Sequence, residues 1–360
     1  MSKYERPNIL AMQGYTSGEQ PDDDNTSKLN TNENPYPPSP AVQAALTNIQ
    51  ISQLRTYPQP TADPLRDAIA KRHGLARNNV VVTNGGDEAL RLALTTFVKP
   101  GSSFGIASPS YSLYPVLADI HDANTVEVAL ADDWSLPENF AAVLNAAGVE
   151  LTCIVNPHAP SGTLTNVATM AALAKNLHGL LLIDEAYADF IDAEAGYASA
   201  ALVESHDNVL ILRTFSKGYS LAGLRLGYLL GSTDLIDPIV SKTRDSYNVD
   251  HISQVLGLAA FNDMAYARQT WKKVRDEKLR LQNNLSQLGL HSPVSQSNFL
   301  LIEVPANAKL NAQTLYQHLK LQNILVRFFN SPRLDDKLRI TVGTPAQNDA
   351  LVEALTSMLT

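Results

Sequence analysis

The stretch VVVTNGGDEALRLALTTFV, residues 80–98, contains the pattern from which the fold is predicted. A short apolar run comes first, two glycines permit a tight turn, and apolar residues then follow at helical spacing. We predict a strand, a turn and a helix, with Gly85 and Gly86 at the turn. Backbone N–H groups at such a positive helix end, here at Gly86 and Asp87, can approach an anion closely. The alternative is an ordinary turn with Asp87 as the helix N-cap.

The same alternation of apolar runs and helical segments continues beyond this unit. Further strands are predicted at Phe104–Ala107, Thr125–Ala129, Leu151–Asn156, Leu180–Asp184, Val209–Leu212 and Leu226–Leu230. Short apolar strands separated by helices indicate an α/β fold, in which a mostly parallel central sheet is covered by helices on both faces.

The C-terminal third has a different pattern. A long helical stretch is predicted from Ser253 to Leu288. Three strands are predicted after it, at Phe299–Val304, Ile324–Phe328 and Leu338–Val342, with helices between and after them. These elements indicate a small α+β domain.

The length of the chain indicates two domains, because 360 residues exceed the size at which a single core usually stops growing. We expect an N-terminal arm with a small-domain segment at 1–50 and a large domain at 51–245. An interdomain helix and the small C-terminal domain are expected at 246–360.

Composition and charge exclude several classes of partner. The net charge of -8, without runs of Lys or Arg, argues against nucleic acid. No apolar stretch is long enough to cross a bilayer, and the chain does not begin with a secretory signal, so we expect a cytoplasmic protein. The eight histidines show no ligand-like spacing with carboxylates, so no metal site is expected.

A second informative stretch is RTFSKGYSLAGLR, residues 213–225. The amine of Lys217 is flanked by the hydroxyls of Thr214 and Ser216 and followed by Arg225. A lysine amine condenses with an aldehyde, while hydroxyls and a guanidinium bind a phosphate. The segment therefore indicates pyridoxal phosphate chemistry, and the alternative is a surface lysine in a polar loop.

Polar residues that follow the other strands are candidates for the same site, because ligands collect at the carboxyl ends of parallel strands. Asp184 can keep a pyridine nitrogen protonated, and the phenol of Tyr187 can bind the 3-oxygen of the ring. The ring of Tyr111 can stack on a planar heterocycle. Asn156 and His158 lie in a loop after another strand and can donate hydrogen bonds, although each of these residues could also be structural.

Two arginines, Arg327 and Arg339, lie within apolar strand runs of the small domain. Burying a guanidinium is unfavourable unless an anion pairs with it, so both are candidates for binding a substrate carboxylate or phosphate. A structural salt bridge is the alternative for either.

Taken together, these motifs resemble those of the fold-type-I pyridoxal phosphate aminotransferases, and over nearly the full length the chain is similar to the histidinol-phosphate aminotransferase family. The resemblance rests on segments spread along the chain: Leu29–Tyr36, Tyr57–Pro58, Gly85–Glu88, Ser108–Tyr111, Asp184–Tyr187, Arg213–Arg225, Ile324–Arg327 and Leu338–Thr344.

The resemblance implies a role for each site residue. Lys217 forms the internal aldimine, Asp184 pairs with the ring nitrogen, Tyr187 binds the 3-oxygen and Tyr111 stacks on the ring. The cofactor phosphate is held by Gly86, Asp87, Thr214, Ser216, Arg225 and, from the neighbouring subunit of a homodimer, Tyr57. The substrate anion is bound by Arg339, with Arg327 and Tyr15 beside it.

One position departs from the family pattern. The loop usually has an asparagine directly before its second proline, where it contacts the 3-oxygen of the cofactor, and this chain has Ala159. Asn156 or His158 must therefore substitute, or Tyr187 makes that contact alone.

The resemblance implies a ping-pong transamination, with L-histidinol phosphate as amino donor and 2-oxoglutarate as acceptor. An aromatic amino acid aminotransferase is the main alternative, because Phe328 and Phe329 could line an aromatic pocket. A phospho-amino-acid decarboxylase and a non-catalytic cofactor-binding regulator are further alternatives.

Overall fold

The computed structural model describes residues 3–21 and 25–359, and its large sheet has seven strands. The strands among these residues are β1 Ser27–Lys28, β2 Val80–Thr83, β3 Ser103–Ser108, β4 Asn124–Ala129, β5 Val149–Val155, β6 Leu180–Asp184, β7 Val209–Thr214, β8 Gly227–Gly231, β9 Phe299–Glu303, β10 Ile324–Leu325, β11 Arg327–Phe328 and β12 Lys337–Thr341. The large sheet has the order β2-β8-β7-β6-β5-β3-β4, and β8 runs antiparallel to both of its neighbours. The other pairs are parallel, which confirms the mostly parallel sheet.

Helices cover the large sheet and pack around the small one. They are α1 Pro7–Ala11, α2 Pro40–Asn48, α3 Asp63–His73, α4 Gly85–Phe97, α5 Leu113–His121, α6 Phe140–Ala146, α7 Val167–Asn176, α8 Leu202–Ser205, α9 Thr233–Pro238, α10 His251–Asn262, α11 Met264–Gln287, α12 Ala312–Leu321 and α13 Pro345–Leu359. In the part of the chain that the structure describes, no helix is both long and apolar enough to span a membrane.

The central strands are buried on both faces. Leu181, Leu182 and Ile183 of β6 are fully buried, and their side chains contribute to two hydrophobic clusters on opposite faces of the sheet. A strand covered on both sides has no solvated face, which is why β6 is a continuous apolar run rather than an alternating one.

The small domain is built around an antiparallel sheet in the order β11-β12-β9. The arm joins it, because β1 pairs in parallel with β10 and Leu29 belongs to the small-domain core. Helix α11 connects the two cores: Trp271 and Val274 pack in the large domain, and Leu281 and Leu285 pack in the small one. The division at residues 50/51 and 245/246 stays a prediction.

Two details differ from the expectation. The helix predicted from Ser253 to Leu288 is broken into α10 and α11 at Asp263, whose side chain accepts a hydrogen bond from the Tyr266 backbone N–H at 3.3 Å. The strand predicted at Ile324–Phe328 is divided at Val326, because β10 pairs with the arm and β11 pairs with β12.

Candidate active site

A cavity of about 410 Å³ lies at the carboxyl ends of the large-sheet strands and is closed on one side by the small domain. It brings together most of the predicted site residues: Tyr15, Gly86, Asp87, Tyr111, Asp184, Tyr187, Thr214, Ser216, Lys217, Arg225, Arg327 and Arg339. These residues come from strands, loops and helices far apart in the chain. The parallel sheet brings them together because its strands end at one edge.

The amine of Lys217 is buried in this cavity. Its Nζ atom donates a hydrogen bond to the Thr31 carbonyl at 2.8 Å. Burial lowers the pKa of Lys217 to about 8, and the positive charges of Arg339, Lys28 and Arg225 add to this, while the Glu33 carboxylate opposes it. A larger fraction of the amine is therefore neutral near pH 7 than for an exposed lysine, which favours nucleophilic attack.

A buried carboxyl group, Asp184, lies at the end of β6. Its Oδ2 accepts a hydrogen bond from the Tyr114 hydroxyl at 2.7 Å, and its Oδ1 accepts one from the Ala186 backbone N–H at 3.1 Å. Burial raises the pKa of Asp184 to about 6, although both hydrogen bonds act in the opposite direction. A protonated ring nitrogen beside this carboxylate would reduce the unfavourable effect of burying its charge.

An anion cradle is formed at the N-terminus of α4. Gly85 has φ +78°, and a Cβ atom there would lie 2.7 Å from the Arg225 guanidinium. Thr214 Oγ1 and Ser216 Oγ are 3.0 Å apart, and Arg225 Nη2 donates to Asp87 at 3.0 Å. Glycine, two hydroxyls, a guanidinium and a helix N-terminus are together typical of a phosphate site.

The two small-domain arginines lie opposite each other in the register of β11 and β12. Arg339 is half-buried, its Nη2 donates to the Asn30 carbonyl at 2.9 Å, and its Nε is buried without a hydrogen-bond partner among residues 3–21 and 25–359. The guanidinium groups of Arg327 and Arg339 lie 5.4 and 5.5 Å from the centre of the Phe329 ring. Neither guanidinium forms a salt bridge with a carboxylate among the described residues, and both line the cavity, where an anion can bind them.

Aromatic rings form another part of the cavity wall. Tyr15 contacts Tyr111 edge-on at 5.9 Å between ring centroids, and Tyr111 contacts Tyr114 edge-on at 5.5 Å. Sequence reasoning missed Tyr114, which orients the Asp184 carboxyl. The available signal was its position three residues after Tyr111, at the start of the helix that follows β3.

Comparisons with known proteins identify the family of this chain. Residues 24–355 match the model of the family described as aminotransferase class I and II. The chain belongs to this family. Histidinol-phosphate aminotransferase 1 of Trichormus variabilis is 42% identical to this aminotransferase over 360 residues, with 100% of both chains covered. The histidinol-phosphate aminotransferase of Chromohalobacter salexigens is 38% identical, with 99% of each chain covered.

A solved structure shares the fold. The histidinol-phosphate aminotransferase of Sinorhizobium meliloti, in complex with pyridoxal-5'-phosphate, superposes with a TM-score of 0.90. The alignment covers 100% of this chain and 98% of the Sinorhizobium meliloti chain, and the two sequences are 24% identical. The predicted fold-type-I architecture is confirmed.

Two predicted site residues of this aminotransferase do not line the cavity. Asn156 is buried beside it, where its Nδ2 donates to the Thr165 carbonyl and to the Tyr197 hydroxyl, both at 2.9 Å, and its Oδ1 accepts from Thr165 N–H at 2.8 Å. Both protons of its side-chain amide are therefore donated within the loop, and its role as a cofactor contact stays a prediction. Tyr57 is 80% exposed and stacks on Tyr247 outside the cavity.

His158, the other candidate to replace the missing loop asparagine, is also engaged elsewhere. Its Nε2 donates to the Pro109 carbonyl at 3.0 Å, so its Nδ1 accepts from the Ser161 hydroxyl at 2.7 Å. Burial lowers the pKa of His158 to about 4, which keeps the ring neutral. Ala159 itself lines the cavity and offers only a methyl group. Tyr187 is thus the remaining candidate for the 3-oxygen contact.

Proposed function

We propose that this aminotransferase binds pyridoxal phosphate in the cavity and transfers an amino group from L-histidinol phosphate to 2-oxoglutarate. The observation that carries the proposal is the burial of a lysine amine and of a carboxyl group in one cavity beside an anion cradle. The donor set fits the cofactor: Lys217 for the aldehyde, Asp184 for the ring nitrogen, Tyr187 for the 3-oxygen, Tyr111 for the ring face, and Gly86, Asp87, Thr214, Ser216 and Arg225 for the phosphate.

Lys217 has two roles in this proposal. When bound, pyridoxal phosphate supplies an aldehyde for the amino group and a ring that withdraws electrons from the substrate α-carbon. With its Nζ free, Lys217 could remove the proton from the substrate α-carbon and hold it for return to the cofactor. The lowered pKa of Lys217, about 8, supports this role because a general base must be neutral when it acts.

The substrate assignment rests on the anion site and on the relatives. Curated relatives named histidinol-phosphate aminotransferase are 35–42% identical over nearly the full length. Arg339 and Arg327 offer guanidinium donors suited to a phosphate dianion, and the same donors suit the carboxylates of glutamate and 2-oxoglutarate. Tyr15 lies at the same side of the cavity.

We further propose a homodimer in which Tyr57 contributes to the cofactor phosphate site of the neighbouring subunit. The exposure of this ring, outside its own cavity, supports the proposal because a large exposed aromatic residue often lies in an interface. The cytoplasmic location also stays a prediction.

A substrate panel tests the proposed function. Specificity constants would be measured for histidinol phosphate, histidinol, phenylalanine and tyrosine, each with 2-oxoglutarate. We expect the specificity constant for histidinol phosphate to exceed that for histidinol by roughly 100-fold or more, because without the phosphate the two half-buried arginines stay unpaired. Phe329 lines the cavity and favours an aromatic substrate as the second candidate. Equal or higher constants for phenylalanine or tyrosine would contradict the histidinol phosphate assignment.

A further inference from the structure

The Tyr187 hydroxyl has a single hydrogen-bond partner in the described part of the chain, the side-chain amide of Asn32. The Asn32 Nδ2 and Tyr187 Oη atoms are 3.0 Å apart, and both side chains are buried. Tyr187 lines the cavity, packs edge-on against Phe299 and lies near the charges of Arg339 and Asp184 and the phenol of Tyr15.

Thr341 determines which way the Asn32 amide points. The Thr341 hydroxyl oxygen accepts a hydrogen bond from the Asn32 backbone N–H at 3.0 Å, so its own proton needs an acceptor. That acceptor is Asn32 Oδ1, at 3.1 Å. With Oδ1 turned to Thr341, the amide can present only its NH₂ group to Tyr187.

The backbone of Asn32 is held in place as well. It has φ +58°, a left-handed conformation that asparagine tolerates better than most residues. Its carbonyl accepts a hydrogen bond from Asn298 Nδ2 at 3.0 Å. The arm, Thr341 of β12 and Asn298 just before β9 thus place one donor against a phenol of the large domain.

We propose that Asn32 is a positioning residue that makes the Tyr187 hydroxyl a donor toward the cavity. Tyr187 accepts from Asn32, so its proton is directed to the remaining open side, where the cofactor 3-oxygen would lie. This inference rests on the proposed binding of pyridoxal phosphate. It applies to this chain in particular, since Ala159 has no donor and Asn156 and His158 are engaged elsewhere.

The test is the substitution Asn32→Asp, which keeps the shape and the tolerance for positive φ but replaces the donor with an acceptor. The Tyr187 hydroxyl would then donate its proton to the carboxylate introduced by Asn32→Asp and no longer to the 3-oxygen. A hydrogen-bond donor at the 3-oxygen stabilises the negative charge of that oxygen. Without this donor the bound cofactor should keep its proton to a higher pH, so we expect the pH midpoint of its visible absorption change to rise by about one unit. The affinity for pyridoxal phosphate, measured by fluorescence titration, should fall roughly 2- to 10-fold.

A double-mutant cycle distinguishes a change in the direction of the Tyr187 proton from a direct effect of the negative charge that Asn32→Asp introduces. The midpoint would be measured in wild type, Asn32→Asp, Tyr187→Phe and the double variant. If Asn32 acts through Tyr187, the Asn32→Asp shift disappears in the Tyr187→Phe background. An equal shift in both backgrounds would mean that the new charge acts directly, and the inference would be overturned.

An uncharged variant, Thr341→Val, keeps the test decisive if Asn32→Asp fails to fold. It removes the group that orients the amide, so the midpoint should move in the same direction, while Thr341→Ser should behave like wild type. An unchanged midpoint in a folded Thr341→Val enzyme would refute the inference. Failure of the proposed function would differ, because the wild-type enzyme itself would then show no visible band from cofactor linked to Lys217.

Discussion

Replacing Arg339 with methionine should separate activity from stability. Arg339 is half-buried, and residues 3–21 and 25–359 provide its guanidinium with no carboxylate partner and leave its buried Nε without a hydrogen bond. Burial lowers the pKa of Arg339, as expected for a cation without a counter-ion. Methionine is of similar length and apolar, so it can occupy the space between Phe299 and Phe329.

The stability of the substrate-free enzyme should change little. The substitution removes one hydrogen bond, from Arg339 Nη2 to the Asn30 carbonyl. A hydrogen bond to a charged group is worth about 1.5–3 kcal/mol, and leaving a buried donor unpaired costs a similar amount. Arg339→Met removes both effects but leaves the carbonyl of the buried Asn30 without this donor, so we expect the melting temperature to fall by no more than about 5 °C.

The activity should fall by orders of magnitude. Two charge-assisted hydrogen bonds from the fork of Arg339 to a substrate anion would contribute about 3–6 kcal/mol, which corresponds to a loss of roughly 10²- to 10⁴-fold in kcat/KM. Histidinol, which lacks the phosphate, is the internal control. Its kcat/KM for the first half-reaction should fall less than tenfold, because it has no anion for Arg339 to bind.

Two measurements check this reasoning: thermal melts of the cofactor-loaded enzyme without substrate, and single-turnover kinetics with each amine. The matched variant Arg339→Lys keeps the charge but loses the fork, and it should fall between wild type and Arg339→Met. An Arg339→Met enzyme that is strongly destabilised would show that the arginine is structural. Equal losses for histidinol and histidinol phosphate would show that it does not bind the phosphate.

Three further changes have expected outcomes. Lys217→Ala should abolish turnover, and borohydride should no longer fix the cofactor covalently to the protein. Transamination at the wild-type rate in this variant would exclude Lys217 as the base. The pKa of Asp184 is raised to about 6, so its carboxylate is neutralised as the pH falls through that value. The affinity for pyridoxal phosphate, measured by fluorescence, should be lost over the same pH range. Asp184→Asn should have a low affinity that does not depend on pH in this range. Gly85→Ala should weaken cofactor binding, since its Cβ would lie 2.7 Å from Arg225, whereas Gly101→Ala, with φ +84° and no atom within 4 Å, should lose only stability.

Much of the large domain could be predicted from short stretches of the sequence. The runs at β2 and β6 are continuous and apolar because both faces of those strands are buried, and such runs can be recognised without knowing their neighbours. The polar residue that ends each run lies at one edge of the sheet. Asp184 and Lys217 could therefore be assigned to one site before any contact was known.

Other features depended on which surfaces meet in the folded chain. The break at Asp263 depends on a side-chain cap, and the division at Val326 depends on the strands beside it. The antiparallel orientation of β8 is set by its pairing with β2 and β7. The apolar pattern of β8 in the sequence does not indicate this orientation. Local periodicity carries no information about such partners.

The sequence by itself determined the mostly parallel sheet, the order of its strands along the chain and the chemical groups at their ends, because burial and periodicity act over neighbouring residues. Only the tertiary structure decided how those groups are oriented. It turned Asn156 toward Thr165 and Tyr197, and it placed Asn32 against a phenol 155 residues away. Hydrogen-bond direction depends on the complete set of donors and acceptors around a group, and that set exists only after the chain has folded.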